Sequence, residues 1–211
     1  MTIRLHRGDL PDLSAYKGAV AIDTEAMGLD PNRDRLCVVQ LSPGDGSADV
    51  VQIGAGQRKA PNIERLLADK SILKIFHFAR FDLGMLAKTF GVMAAPVYCT
   101  KIASRLARTY TDKHGLKDLA REVLGVDLSK QQQLSDWGAE ELSDAQVSYA
   151  ATDVLHLHAL KEKLDGMVAR EGRGDLAALC TGQILEELDG TSASFDQWLL
   201  GERTRFTEHL R

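Results

Sequence analysis

Apolar and polar positions divide the chain into a strand-rich first half and a helix-rich second half. Short apolar runs bounded by turn residues predict strands at Val20–Asp23, Leu36–Ser42 and Ala48–Ile53. A Pro-Gly-Asp-Gly turn separates the second run from the third and predicts an antiparallel hairpin. Two further runs predict a buried strand at Ile72–Phe78 and a short one at Val97–Thr100.

Helical spacing of apolar residues dominates after Thr100. Strands followed by helices predict an α/β fold, with one mixed sheet flanked by helices in a single domain. The predicted helices are Asn62–Lys70 with Asn62 as cap, Ala79–Phe90, Lys101–Arg108, Leu116–Leu124, a long helix capped by Ser143 with an apolar stripe reaching Leu160, Leu176–Leu188, and a last helix carrying Phe195 and Trp198.

Composition limits the classes of protein that fit. The 211 residues are 44% hydrophobic, which suffices for one domain with a sizeable core. No stretch approaches the roughly 20 apolar residues of a membrane span, and no signal peptide is evident, so we expect a soluble cytoplasmic protein with no membrane partner. Three scattered cysteines predict neither disulfides nor a zinc site. A net charge of -4 disfavours a wide basic surface for long nucleic acid, but permits a small anionic substrate.

The first candidate chemistry lies at the end of the first predicted strand. Asp23 and Glu25 are two residues apart, so strand alternation sends both to the same face if the strand continues that far. Two nearby carboxylates repel each other, and a divalent cation such as Mg²⁺ or Mn²⁺ would compensate. A solvated surface pair is the alternative, since the D-x-E pattern is common.

Two further acidic positions strengthen the metal interpretation. Asp82 falls in the first turn of a predicted helix, where a favourable interaction with the helix dipole is the alternative explanation. Tyr149 and Asp153 are four residues apart on one helix face, and an ordinary surface acid is the alternative for Asp153. Four carboxylates and a tyrosine are a suitable inventory for hydrolysis of a phosphodiester with two cations about 4 Å apart. The tyrosine could orient or deprotonate the attacking water.

The motifs D-x-E, H-x-A-R-F-D and Y-x-x-x-D, in this order, resemble the DEDDy class of 3′→5′ exonucleases, which have a ribonuclease H-like fold. The segments DRLCVVQLS, QQQLSDW and LSDAQVSYAATDVLHLHAL are similar to ribonuclease D. The likeness covers about residues 19–164 as a catalytic core, which leaves residues 165–211 as a C-terminal helical extension of a single domain, 1–211. The resemblance implies that Asp23, Glu25, Asp82 and Asp153 hold two divalent cations, Mg²⁺ or Mn²⁺, while Tyr149 aligns the attacking water.

A narrower resemblance is to nanoRNase C, a stand-alone bacterial exonuclease. It rests on the segments HFARFD, SKQQQLSDW and CTKIASRLARTYTDKHGLK, and on Phe78, where ribonuclease D usually has Asn. The family implies a 3′→5′ exoribonuclease that hydrolyses short oligoribonucleotides, dinucleotides included, to nucleoside 5′-monophosphates. Some members also act on DNA, and the family implies a homo-oligomer, an octameric ring. A ribonuclease D-like enzyme that trims longer RNA or DNA and a catalytically silent nucleic-acid-binding module are the alternatives.

Substrate contacts are predicted around these motifs. In oligoribonuclease-like exonucleases a leucine at the position of Leu29 wedges between the two terminal bases. Basic and aromatic side chains bind phosphates and stack on bases, although a solvated basic face and core aromatic residues are the alternatives. The predicted substrate-binding residues are Thr24, Met27, Gly28, Leu29, His77, Phe78, Arg105, Lys130, Gln132 and Trp137.

Overall fold

The structure is a computed structural model that describes residues 2–30, 33–129 and 131–188. Two predictions lie outside the described residues, namely the substrate contact at Lys130 and the last helix with Phe195 and Trp198.

One mixed six-stranded sheet forms the centre of the molecule, in the order β1-β4-β3-β2-β5-β6. The pairs β1–β4, β2–β5 and β5–β6 are parallel, while β2–β3 and β3–β4 are antiparallel. The hairpin predicted around the Pro-Gly-Asp-Gly turn is therefore confirmed. The strands are β1 (Thr2–Arg7), β2 (Ala19–Ala26), β3 (Leu36–Ser42), β4 (Ser47–Gln52), β5 (Leu73–Phe76) and β6 (Val97–Cys99).

Helices cover both faces of the sheet. On one face α1 and α2 bury leucines such as Leu66 and Leu86 in one apolar cluster, and on the other α5 and α6 bury residues such as Val154 and Leu160 in a second. The described helices are α1 (Pro61–Ala68), α2 (Ala79–Phe90), α3 (Thr100–Ala107), α4 (Leu116–Leu124), α5 (Asp144–Leu155), α6 (Leu157–Arg170) and α7 (Gly174–Leu188). None of them combines the length and apolar character needed to cross a membrane.

Strand β2 lies between the two helical layers and continues to Ala26, beyond the predicted end. Ala21, on the same face of the strand as Asp23, belongs to the apolar cluster on the α5 side. Ile22, on the same face as Thr24, belongs to the cluster on the α2 side. The register with β3 shifts between Glu25 and Ala26, an irregularity that typically bends a strand next to a functional site.

The structure differs from the prediction at three elements. β1 was not predicted, because it is a largely exposed edge strand without a clear apolar alternation. Asn62 is not a cap: α1 begins at Pro61, and the Asp9 carboxylate accepts the backbone N–H groups of Asn62 and Ile63 at 2.8 and 3.1 Å. The long helix capped by Ser143 is two helices that meet at His156. α5 packs on the sheet while α6 packs mainly against α3 and α4, so the chain changes direction.

The helical spacing of Lys101, Arg105 and Arg108 predicts a basic face on the third helix, and the structure differs from this prediction at Arg108. Arg108 is fully buried, not presented to a ligand. Its guanidinium donates to Ser104 Oγ and to the Lys113 carbonyl, both at 2.9 Å, and pairs with the Glu122 carboxylate. Arg108 thus connects α3, the following turn and α4. Arg105, on the same helix, is exposed.

This contrast generates a stability prediction. Replacing Arg108 by Met removes the donor to the Lys113 carbonyl and the cationic partner of Glu122, so the free energy of unfolding should fall by about 2–4 kcal/mol. Arg105→Met, a matched change at an exposed position, should stay within about 0.5 kcal/mol of the wild type. Urea unfolding followed by circular dichroism measures both. Equal losses in the two variants would contradict the structural role of Arg108.

Candidate active site

Three carboxylates converge where α5 crosses the end of β2. Asp23 and Glu25 project from the same face of the strand, as predicted, towards the helix that carries Asp153. Alanines at positions 150 and 151 of α5 are fully buried, and small side chains there permit the helix to approach the sheet closely. One oxygen from each of Asp23, Glu25 and Asp153 lies within 4.8 Å of the others.

Asp82 reaches the same strand end from the opposite layer. It lies in the first turn of α2 and is only 2% exposed. Its Oδ1 accepts a hydrogen bond of 2.6 Å from the Thr24 hydroxyl, so Thr24, predicted to bind substrate, holds a carboxylate. The end of β2 is consequently flanked by Asp82 on one side and Asp153 on the other.

Burial and mutual repulsion make these groups weak acids in the metal-free protein. Burial, followed by the charges of Asp82, Asp153 and Glu25, raises the pKa of Asp23 well above its usual range. Burial and the charges of Asp153 and Asp82 raise the pKa of Glu25 to about 8. Burial likewise raises the pKa of Asp82 to about 7, although its hydrogen bond with Thr24 opposes the shift.

Tyr149 lies one helical turn before Asp153. Burial raises the pKa of Asp153 to about 7, and hydrogen bonding with the Tyr149 phenol opposes this rise. Burial and the charges of Asp153 and Glu25 raise the pKa of the Tyr149 phenol above its usual value. The tyrosine therefore keeps its proton at neutral pH and can serve as a hydrogen-bond donor at the site.

The donor set fits divalent cations that prefer oxygen ligands. Among the described residues, no lysine, arginine or histidine forms an ion pair with any of the four carboxylates. Clustered acids without a cationic side chain are compensated either by protons or by metal ions. Asp23, Glu25 and Asp153 could share one cation, whereas Asp82 lies outside the group whose oxygens are all within 4.8 Å of one another.

The carboxylates open into a cleft of about 610 Å³. Unusually for apolar side chains, several residues on its wall are strongly exposed. Leu29 is 84% exposed and Leu134 is 98% exposed, and both line the cleft together with Met27 and Phe78. An exposed apolar rim beside an acidic centre suits a ligand that carries flat, partly apolar groups.

The loop after Glu25 is shaped by Gly28. A Cβ atom at this position would lie 2.2 Å from the Asp34 Oδ2 atom, which accepts a hydrogen bond of 3.0 Å from the Asp30 backbone N–H. Only glycine fits without displacing that carboxylate. The close approach presents Met27 and Leu29 at the mouth of the cleft.

His77 and Phe78, predicted to contact substrate, both line the cleft. Burial and the Lys101 charge lower the pKa of His77 to about 3, so its ring is neutral, and Nδ1 lies 2.9 Å from the Thr100 hydroxyl. Phe78 has a φ of 71°, a left-handed conformation that is strained in a bulky residue and occurs chiefly at functional sites. The Lys101 Nζ atom lies 3.8 Å from the Phe78 ring centroid, a cation–π contact.

The remaining predicted contacts divide into two groups. Trp137 is 4% exposed, lines the cleft and packs against Tyr149, with ring centroids 6.0 Å apart. Arg105 and Gln132 are not among the residues that line the cleft. The substrate-binding role of each residue stays a prediction.

Several cleft residues were absent from the predicted substrate-binding set. Lys117, Gln133 and Leu134 lie within the segments CTKIASRLARTYTDKHGLK and QQQLSDW that carry the resemblance, so a signal for them existed. The exposure of Leu134 was not predictable, because one leucine in a loop does not reveal whether it is buried. Gln40 lies directly opposite Asp23 on β3, and a polar residue in the otherwise apolar run LCVVQLS was the available sign.

The fold and this acidic cleft define the class of protein. A family model described as a 3′–5′ exonuclease matches residues 10–169. The RNase D structure from Escherichia coli superposes with a TM-score of 0.74 at 24% identity, covering 84% of this chain and 46% of that one, which supports the ribonuclease H-like fold. The predicted fold class is thereby confirmed.

Closer relatives identify the branch. A structure of Brucella melitensis NrnC has 61% identity and a TM-score of 0.87, covering 90% of this chain and 92% of that one. Brucella melitensis NrnC bound to pGG has 57% identity and a TM-score of 0.88, covering 92% and 98%. The chain belongs to the 3′–5′ exonuclease family and, within it, to the nanoRNase C group.

Among curated proteins, the ribonuclease D of Gluconacetobacter diazotrophicus is 36% identical over 159 residues, which are 75% of this chain. The match covers 40% of that protein, so the chain spans about two fifths of the length of such relatives.

The raised pKa values predict how stability depends on pH without metal. From about pH 4 to about pH 8 the folded protein binds more protons at Glu25, Asp82 and Asp153 than the unfolded chain does. The free energy of unfolding contributed by these groups should therefore fall as the pH rises through this window. Thermal unfolding in EDTA at pH 5, 6.5 and 8 measures it, and millimolar Mg²⁺ should raise Tm most at pH 8.

Asp153→Asn is the matched control for this pH series, because it removes one of the repelling charges at nearly constant shape. Its Tm should depend less steeply on pH than that of the wild type. A wild-type profile parallel to that of Asp153→Asn would contradict the assignment of the pH dependence to the carboxylate cluster.

Proposed function

We propose that this protein is a metal-dependent 3′→5′ exoribonuclease that hydrolyses short oligoribonucleotides, including dinucleotides, to nucleoside 5′-monophosphates. The observation that carries the proposal is the group of three converging carboxylates, Asp23, Glu25 and Asp153, in the wall of a small cleft with an exposed apolar rim. A cleft of this volume is typical of sites for small ligands, not of a groove for a long strand. The net charge of -4 agrees with a short substrate, since long nucleic acid requires many basic contacts.

Two divalent cations, Mg²⁺ or Mn²⁺, are part of this proposal. When bound, they supply stabilisation of the attacking and leaving oxygens of an in-line phosphodiester displacement. Asp23, Glu25 and Asp153 would hold one, and Asp82 together with Asp23 would hold the other. Brucella melitensis NrnC with bound Mg²⁺, 56% identical with a TM-score of 0.87 and covering 92% of this chain and 98% of that one, supports the use of a divalent cation.

Tyr149 is the proposed positioning group for the attacking water. Its phenol lies beside Asp153 and keeps its proton at neutral pH, because nearby carboxylates disfavour the phenolate. It can therefore fix the water by hydrogen bonding, and any role as a base would require the cations to lower its pKa. Trp137 packs against the Tyr149 ring and restricts its orientation.

The rest of the cleft would hold the substrate. Leu29 would lie between the two terminal bases, and the half-exposed Phe78 would contact a base or sugar. Lys101 and Lys117 on the cleft wall offer positive charge for a phosphate. NrnC bound to the short RNA pGG supports a substrate of this size.

Three features of the proposal concern the whole protein. A homo-oligomer, predicted as an octameric ring, can be tested by light scattering of the native protein. The cytoplasmic location and the single domain over residues 1–211 also stay predictions.

Substrate length gives the first test. Labelled RNAs of two to about ten nucleotides should be shortened from the 3′ end only when Mg²⁺ or Mn²⁺ is present, with dinucleotides hydrolysed at least as fast as longer chains. Asp153→Asn and Tyr149→Phe should each lower the rate by roughly 100-fold or more, because each removes a group that acts on the reacting atoms.

The outcomes of the length series separate the alternatives. Dinucleotides cleaved far more slowly than longer RNA would indicate a ribonuclease D-like trimming enzyme. Full metal-dependent activity in Asp153→Asn would contradict the metal assignment, and no hydrolysis by the wild type at any length would indicate a binding module.

Leu29 gives a second test, because its exposure separates binding from folding. Leu29→Ala should leave the free energy of unfolding within about 0.5 kcal/mol of the wild type, since the side chain is 84% exposed. It should weaken dinucleotide binding several-fold, because base–side-chain contacts are typically worth about 1–3 kcal/mol for aromatic residues and less for a leucine. Leu179→Ala, at a 65% exposed position outside the cleft, is the matched control. Equal dinucleotide affinity in the two variants would contradict the wedge.

A further inference from the structure

Gln40 is a buried polar residue that the proposed reaction has not used. Every position of β3 is buried, and Gln40 is 0% exposed within it. A glutamine amide offers two donors and an acceptor, so burying it is unfavourable unless these groups are hydrogen-bonded. A leucine or valine, as at the neighbouring positions 38, 39 and 41, would suit the interior better.

The pairing of β2 with β3 explains what Gln40 contacts. Gln40 and Asp23 are directly opposite each other in the antiparallel register, so their side chains lie on the same face of the sheet. The Gln40 Nε2 atom donates to the Asp23 Oδ2 atom at 3.3 Å. The corresponding partner of Glu25 on β3 is Val38, which offers no hydrogen bond.

The carbonyl oxygen of the Gln40 side chain bears on the role of this residue. Among the described residues, the Gln40 Oε1 atom has no hydrogen-bond partner, although it is buried. Buried polar atoms are nearly always paired when their role is structural. The hydrogen bond to Asp23 is therefore what the amide contributes within the described chain.

We infer that Gln40 is a positioning residue that fixes the Asp23 carboxylate for cation binding. This inference rests on the proposed function, in which Asp23 is a ligand of both cations. A hydrogen bond from the amide limits rotation of the carboxylate and leaves its second oxygen directed towards the cleft. Residues that orient metal ligands in this way typically change metal affinity by about 10- to 100-fold when they are removed.

A similar hydrogen bond to a carboxylate is found on the other face of β2. The Thr24 hydroxyl donates to Asp82 as Gln40 donates to Asp23, so each face of the sheet supplies a neutral donor to one carboxylate. Neutral donors hold the carboxylates without neutralising their charge, which remains available to a cation. A lysine or arginine in the place of Gln40 would instead compete with the metal.

Metal binding by Gln40→Met tests the inference. Methionine has a similar length and no donor, so the Mn²⁺ affinity of the metal-stripped protein should fall about tenfold or more. Isothermal titration with Mn²⁺ measures the affinity, and thermal unfolding in EDTA reports whether the variant is folded. The Mn²⁺ concentration that gives half-maximal dinucleotide hydrolysis should rise by a similar factor.

Ser42→Ala is the matched control, because Ser42 is buried on the same face of β3 and loses a hydrogen bond of 2.7 Å to the Ser47 carbonyl. It should bind Mn²⁺ like the wild type. Gln40→Asn, which stays polar but is too short to reach Asp23, should resemble Gln40→Met and provides the test if the methionine variant does not fold.

The outcomes distinguish this inference from the proposed function. Wild-type Mn²⁺ affinity in Gln40→Met or Gln40→Asn, even with a lower Tm, would overturn the positioning role and leave the proposed function standing. Equal loss of affinity in Ser42→Ala would overturn it as well, since any disturbance of β3 would then suffice. A wild-type protein that binds no Mn²⁺ would instead contradict the proposed metal site.

Discussion

Repulsion among four carboxylates at the end of β2 is the constraint on which the rest of the structure depends. Burial raises the pKa values of Asp23, Glu25, Asp82 and Asp153, and neighbouring charges raise those of the first three further, so the folded chain holds these groups in a place that disfavours their charged forms. The packing of the two helical layers on the sheet supplies the opposing free energy. Packing of the core thus holds the carboxylates together, and a bound cation would reduce the unfavourable free energy of their clustering.

The topology explains why the acids meet at this point. β2 pairs in parallel with β5, whose carboxyl end leads into α2 and Asp82, so the ends of two strands lie at the same edge of the sheet. α5 crosses the opposite face of β2 and brings Asp153 to the same edge. A strand between two helical layers can therefore be approached by acids from both sides, which a surface strand could not offer.

The sequence predicted those features that depend on local periodicity. The two-residue spacing placed Asp23 and Glu25 on one face, and the four-residue spacing placed Tyr149 beside Asp153. Features that depend on distant partners were not predictable: Asp9 caps α1 from a loop more than fifty residues away, and Glu122 and the Lys113 carbonyl draw Arg108 into the interior. A basic residue at helical spacing has the same pattern whether it faces solvent or a buried acid.

The cleft and the buried residues next to its carboxylates reverse the usual distribution of polar and apolar side chains, and this reversal is the clearest physical sign of the site. Gln40 and Asp82 are polar yet buried, whereas Leu29 and Leu134 are apolar yet almost fully exposed. Each arrangement is unfavourable in the folded protein without ligand, and each becomes favourable beside a ligand with the complementary surface. In the proposed function, cations would satisfy the clustered acids and flat bases would cover the leucines. A nucleotide chain with its metal ions presents both surfaces together, so one ligand class relieves both kinds of local instability.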